Sequence, residues 1–250
     1  MRGGTPGPRA AYTPGRLTLF TDGRYVARFR MIGIRIAAMV SIAVLLSGCA
    51  GRAIPDTADP AAAEEALLAT APERPLRVIF AWRALERDAR FNGSGAARIE
   101  PPYRARLDLF GPTGDGYLSA ALVGHELRLP PGLPPVRLPP PAMMWAVLGV
   151  VAPPPGASLR GTRSEPGRTE LYYDVDGGLL RYEVRGGVLV TAEWERGGAR
   201  MDVRLQGASA HGLPRQAVFR DHAGFTELEL NLESVDEVEP YPPDIWSPGR

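Results

Sequence analysis

The sequence predicts a mainly β protein, a curled antiparallel sheet forming an open half-barrel of about ten strands, with one or two helices over its concave face. Three observations carry this. Residues 168–205 fall into short runs split by glycine turns at Asp176-Gly177, Gly186-Gly187 and Gly197-Gly198, and glycine tolerates the positive φ that tight hairpins need. Within those runs apolar and charged side chains alternate with a period of two, as in a sheet covered on one face. One body segment, "PAMMWAVLGVV" at 141–151, is apolar almost all round, and a helix of that kind is normally buried.

Residues 1–48 stand apart from the fold. The run from Ile36 to Leu46 is eleven residues without a charge. That matches the core of an export signal and falls short of the ~20 residues a membrane-crossing helix needs. Arg24, Arg28, Arg30 and Arg35 precede it and small residues follow. Met31 begins a compact signal by itself, so the expected division is an upstream extension over 1–30 and a signal over 31–48. The polar, small-residue stretch after it is expected to be a tether over 49–75. Within the tether, residues 60–71 read as a short helix with Asp59 as its cap.

The folded domain is expected over 76–250. "LRVIFAWRA", "GAARIE", "YRARLDLFG", "GYLSAALVG" and "HELRL" read as strands, although the first also suits a helix running to Asp88. The proline-rich "PPGLPPVRLPPP" reads as an extended loop before the buried helix, and "VAPPPGAS" as a second loop. In the meander that follows, one face carries Leu171, Tyr173 and Val175; Leu180, Tyr182 and Val184; Val188, Val190, Ala192 and Trp194; and Met201, Val203 and Leu205. The opposite face carries Glu170, Arg181, Glu183, Arg185, Glu193, Glu195, Arg200, Asp202 and Arg204, which read as cross-strand pairs in water. A last hairpin turns at His222-Ala223-Gly224 and places Leu228, Leu230 and Leu232 inward. Trp82, Trp145 and Trp194 fall on apolar faces. Trp246 either pins the tail to the body or touches a membrane or partner.

Composition excludes some functions. The net charge of +1 conceals an asymmetry, since residues 49–250 hold 22 basic against 27 acidic side chains. Every basic residue is arginine, and no basic stripe for nucleic acid exists. His125-Glu126 begins like a zinc-protease helix, but Leu129 stands where the second ligand belongs. His125, His211 and His222 follow no zinc spacing and read as solvated or capping residues. "FNGSGAARIE" continues as a strand, so it is neither a phosphate loop nor a nucleophile elbow. Its small residues are read as letting the sheet bend or a helix pack closely. The expectation is a protein without catalytic activity or metal.

One cysteine is present, Cys49 in "LLSGCAG". It has no intrachain disulfide partner, and one thiol makes a poor metal site. Leu46-Ser47-Gly48-Cys49 resembles the bacterial lipobox. The competing reading is a buried cysteine near the end of a core helix. The resemblance implies a diacylglyceryl group on the Cys49 thiol and cleavage between Gly48 and Cys49. Two or three acyl chains, at ~0.8 kcal/mol per buried CH₂, make a durable anchor where one does not. This covalent lipid would be the only cofactor.

With its β-rich body, the chain resembles the lipoprotein-localisation factors of the LolA/LolB type, closer to LolB, the member that is itself lipidated. The likeness spans roughly 76–235. It rests on Cys49, on "RARLDLFGPTGD" at 104–115, on the helix at 141–151 and on the strand count. It implies a curled sheet whose apolar cavity holds acyl chains beneath a helical lid. Candidate cavity and lid residues are Met143, Met144, Trp145, Leu148, Tyr182 and Trp194. Leu133, Val136 and Leu138 are candidates for a membrane-contact loop, and they suit packing on the lid equally well. In families with this sorting system, Ala50 after the cysteine favours the outer membrane. The resulting expectation is a monomer anchored there, facing the periplasm and binding acyl chains or lipoproteins. The alternative is a structural or envelope-assembly lipoprotein with a packed core that binds protein partners. Cavity volume separates the two.

Overall fold

The computed structural model describes residues 53–132 and 138–248. Gly48, Cys49 and the segment read as a signal, with Leu133 and Val136, lie outside the described residues. Among the described residues twelve strands form one sheet: β1 (Leu76–Glu86), β2 (Ala89–Glu100), β3 (Arg104–Phe110), β4 (Gly116–Val123), β5 (Glu126–Arg128), β6 (Ser158–Glu165), β7 (Arg168–Val175), β8 (Gly178–Arg185), β9 (Val188–Arg196), β10 (Ala199–Ala208), β11 (Pro214–Asp221) and β12 (Thr226–Glu237). Their spatial order is β5-β4-β3-β2-β1-β12-β11-β10-β9-β8-β7-β6. Every pairing is antiparallel, and β5 and β6, the two end strands, do not pair with each other, so the sheet curls without closing.

The strand that escaped the sequence is β6, "SLRGTRSE", whose only buried residue is Gly161. An edge strand covers little, so its composition carries no alternation to read. The helical alternative for the first segment is excluded. In β1, Leu76, Val78, Phe80 and Trp82 are buried with a period of two, facing Ile99, Ala97, Gly95 and Gly93 of β2.

Among the described residues two helices pack on the sheet. Helix α1 (Pro60–Thr70) begins as expected, with Asp59 Oδ1 accepting from the Ala61 and Ala62 amides at 3.1 and 3.2 Å. It buries Ala63 and Ala66 against β6, β7 and β9. Just before it, the Thr162 amide donates to Thr57 O at 2.8 Å and the Asp59 amide to Thr162 Oγ1 at 3.1 Å. The chain thus runs along the β6 edge. Folded structure therefore starts well before Leu76, and the segment read as tether contributes a packed helix.

Helix α2 (Pro141–Val147) lies across the concave face on β9, β10 and β11. It is shorter than the 141–151 expected. Gly149, at φ 83°, sends the chain out of the helix, with its amide on Ala146 O and the Val150 amide on Trp145 O. This glycine-terminated exit satisfies carbonyls that the helix leaves open.

Two expectations about the meander need correction. A register shift falls between Glu183 and Val184, where Val184 pairs with Leu189 and Val190 is left over. This β-bulge turns Leu189 into the core at 4% exposure, while Val188 and Val190 are half-buried. The charged face is also not simply wet. Glu170, Glu183 and Asp202 are buried there. Glu170 lies among Arg163, Arg168, Arg181 and the Tyr172 hydroxyl, at 2.5–3.1 Å. Its neighbour Glu183 accepts from Arg168, Arg181 and Arg185. Arginine stems from adjacent strands cover these carboxylates while their guanidinium groups neutralise them.

The C-terminal segment ends in a 3₁₀ turn (Pro243–Trp246) that packs on β3 and β4. Trp246 is buried there with Tyr241 edge-on at 5.9 Å. Arg106 donates to Ile245 O at 3.0 Å and Arg128 to Trp246 O at 3.3 Å. Trp246 pins the tail, as the first of its two readings has it.

Candidate functional site

The concave face gathers the apolar side chains that strand alternation sends inward, and α2 fills its middle. Met143 and Trp145 are fully buried, and Met144 and Leu148 nearly so. The Trp145 indole donates to Gly124 O at 2.7 Å, with Tyr103 edge-on to its ring at 5.7 Å. Tyr182, fully buried beneath the segment after α2, donates to Ala152 O at 3.1 Å and stacks edge-on with Tyr173 at 6.2 Å. Burial pushes the Tyr173 hydroxyl up to about 12, with Tyr103 adding to it, and pushes Tyr182 further in the same direction. Both are neutral at physiological pH.

Trp194 is nine-tenths buried farther along the same face, and its indole N–H has no partner among the described residues. The six cavity and lid candidates therefore share one interior. Met143, Met144, Trp145 and Leu148 belong to the filling, Tyr182 and Trp194 to the wall. Leu138 lies half-buried against the core and packs toward the helix.

Beside α2 the filling is incomplete. One apolar cleft of about 40 Å³ lies between Leu107, Leu109, Leu118, Leu138, Met144 and Leu228. A second, of about 30 Å³, lies between Val78, Phe80, Ile99, Leu148, Leu213 and Ala217. Val147 and Leu230 line both. Each holds about one water's share of volume, an order of magnitude less than a small-molecule site.

Glycines shape the wall. A Cβ on Gly95 would meet the Phe80 ring at 2.4 Å, and one on Gly93 would meet Phe110 O at 1.8 Å. The small residues of "FNGSG" thus let Phe80 and Trp82 lie flat across the neighbouring strand. Trp82 donates to Ser94 O and Phe110 O at 3.0 and 3.1 Å. Its ring continues outward through Tyr117, at 5.1 Å, to a partly exposed Phe91.

At the opposite end a polar cleft of about 400 Å³ opens where α1, the end of α2 and the β8–β9 and β10–β11 turns converge. Arg74 pairs with Glu237 at 2.8 Å, and His211 Nδ1 lies 3.6 Å from the same carboxylate. No sequence motif announces this cleft, because its walls come from five separated segments. His125 sits in the β4–β5 turn, where burial holds its imidazole below the usual range against a backbone hydrogen bond at Pro153. His222 pairs with Asp202 at 2.5 Å. The three histidines are not brought together. Among the described residues no group of three His, Cys, Asp or Glu side chains is placed to hold a metal ion, and no helix is long and apolar enough to cross a membrane.

No family model and no curated protein matches the sequence. One of the solved structures with similarity to this chain shares the architecture. A LolA superfamily protein from Nitrosomonas europaea superimposes with a TM-score of 0.50 at 15% identity, over 78% of this chain and 98% of that one. An outer membrane lipoprotein-sorting domain assigned in Vibrio parahaemolyticus gives 0.42 at 8% identity, over 74% and 94%. A DUF1329 family protein from Desulfovibrio piger gives 0.43 at 8%, over 78% and 98%. At such identities the likeness is one of fold. With its open twelve-stranded sheet and a helix across the concave face, the chain has a divergent LolA/LolB-like fold.

Proposed function

We propose that the protein is a lipoprotein anchored through Cys49 in the outer membrane, facing the periplasm, whose half-barrel binds acyl chains or lipoproteins. A role in lipoprotein localisation follows from that reading, and no catalytic step is part of it. The observation that carries it is the unfinished packing around α2. A seven-residue helix is held on the sheet by apolar contacts and one indole hydrogen bond, with an apolar cleft along its flank on either side of Val147. Met143 and Met144, flexible and polarizable, suit a surface that repacks against chains of different length. In the closed state the clefts are too small for an acyl chain, so binding requires α2 to shift. The test is uptake of a fluorescent fatty acid by the full-length protein, with palmitate as competitor. Saturable, competed uptake is expected, and an absence of uptake would count against the proposal.

A second reading rests on the same small volumes. If α2 never leaves, the half-barrel is a packed scaffold and its function lies in protein partners. Substitutions on the charged face would then impair function more than those inside.

A further inference from the structure

The two apolar clefts and the polar cleft adjoin one another. The first two share Val147 and Leu230, and the second shares Leu148 and Leu213 with the polar cleft. An amphiphile lying along the inner face of β1 and β12 would therefore keep its chain beside α2 and bring its head to Arg74, His211 and Glu237. The polar end, at about 400 Å³, has the size of a small-molecule site.

Its charges select the head group. Arg74 and Glu237 already neutralise each other at 2.8 Å, with His211 beside the carboxylate and Glu73 on the rim. A simple anion finds a partner only in Arg74, and a simple cation only in Glu237. A zwitterion presents a group of opposite charge to each of the two.

We propose that this cleft seats the head group of a zwitterionic phospholipid, its phosphate on Arg74 and His211 and its ammonium on Glu237. The proposal rests on the acyl-chain reading above and adds the orientation and class of the ligand.

The test compares four probes on the full-length protein by tryptophan fluorescence: palmitoyl-lysophosphatidylethanolamine, palmitoyl-lysophosphatidylglycerol, palmitate and free phosphoethanolamine. The ethanolamine lipid is expected to bind at least tenfold more tightly than the glycerol lipid, and at least a hundredfold more tightly than free phosphoethanolamine. Glu237→Gln should reduce the preference between the two lipids below threefold, whereas Arg74→Ala, which removes the phosphate partner that both share, should weaken both lipids together; both side chains are exposed. Equal affinity for the two lipids would overturn the head-group assignment while the acyl-chain reading stood. Free phosphoethanolamine binding as tightly as the lipid would overturn it too, since the cleft would then serve a soluble ligand. If no chain-bearing probe binds, both readings fall.

Discussion

Val147 is where stability and binding oppose each other. It lines both apolar clefts, is 5% exposed, and occupies the last turn of α2. Val147→Ala removes two methyl groups, at about 0.8 kcal/mol each for the transfer to water. The void they leave, roughly 40 Å³, adds about 1 kcal/mol at ~24 cal/mol per Å³ if the walls do not collapse. The expected loss is about 2.5 kcal/mol, which lowers the Tm of a domain of this size by about 5–10 °C. The same loss falls on the closed arrangement that an acyl chain must displace. Affinity for palmitate should therefore rise, by roughly tenfold to fiftyfold, as the closed state weakens. Thermal melts and competition against a fluorescent fatty acid measure both effects on one preparation. A variant that melts lower and binds no better would refute the reasoning, because α2 would then be fixed core and not a displaceable plug.

Other perturbations test other parts. Gly95→Val should cost about 1–3 kcal/mol or more through overpacking on Phe80, whereas Gly116→Ala, with open space around its Cβ, should fall within about 0.5 kcal/mol of the parent in a denaturant titration. Leu180→Glu and Leu189→Glu should abolish cooperative unfolding and Val190→Glu should not; a Val190 variant as damaged as the other two would contradict the bulge. Burial alone would raise the Glu183 carboxyl, but hydrogen bonds from Arg168 and Arg185 outweigh it and hold the group below the usual carboxylate range. A depressed carboxylate stabilises the fold above its unfolded pKa, about 4.3, and that contribution is lost as pH falls through the folded value. Glu183→Gln should thus lower stability at pH 7 and flatten its dependence on pH below about 4.3, as read from Tm against pH. Cys49→Ala should leave unprocessed precursor and abolish anchoring, and normal membrane fractionation of that variant would sink the lipoprotein proposal.

Much of the architecture was legible because strand alternation is a local signal. Leu171, Tyr173, Leu180, Tyr182, Val203 and Leu230 lie inside as their period of two requires. Asp59 caps α1 because an aspartate before a proline-led run is itself a helix start. What escaped depends on contacts between distant segments. The β9 bulge is set by the pairing of Leu189 with Val184, which nothing within "VLVTAEWE" encodes. Strand β6 lies at an edge and needs no apolar face. The burial of Glu170 follows from arginines on β6, β7 and β8 converging over it. Alternation gave its side of the sheet correctly and its solvation wrongly. The cavity candidates were legible as interior residues, but how fully they fill that interior is a matter of packing, and only the structure supplies the volumes.

The central claim is that the half-barrel holds acyl chains. It is tested most directly by purifying the full-length protein from its native membrane, recording native mass spectra after stepwise detergent removal, and extracting the sample with organic solvent. The account predicts, beyond the lipid covalently attached at Cys49, one equivalent of extractable acyl chain or phospholipid that Val147→Ala retains more tightly than the parent. Protein that carries only its covalent lipid, and takes up none when offered, would contradict it.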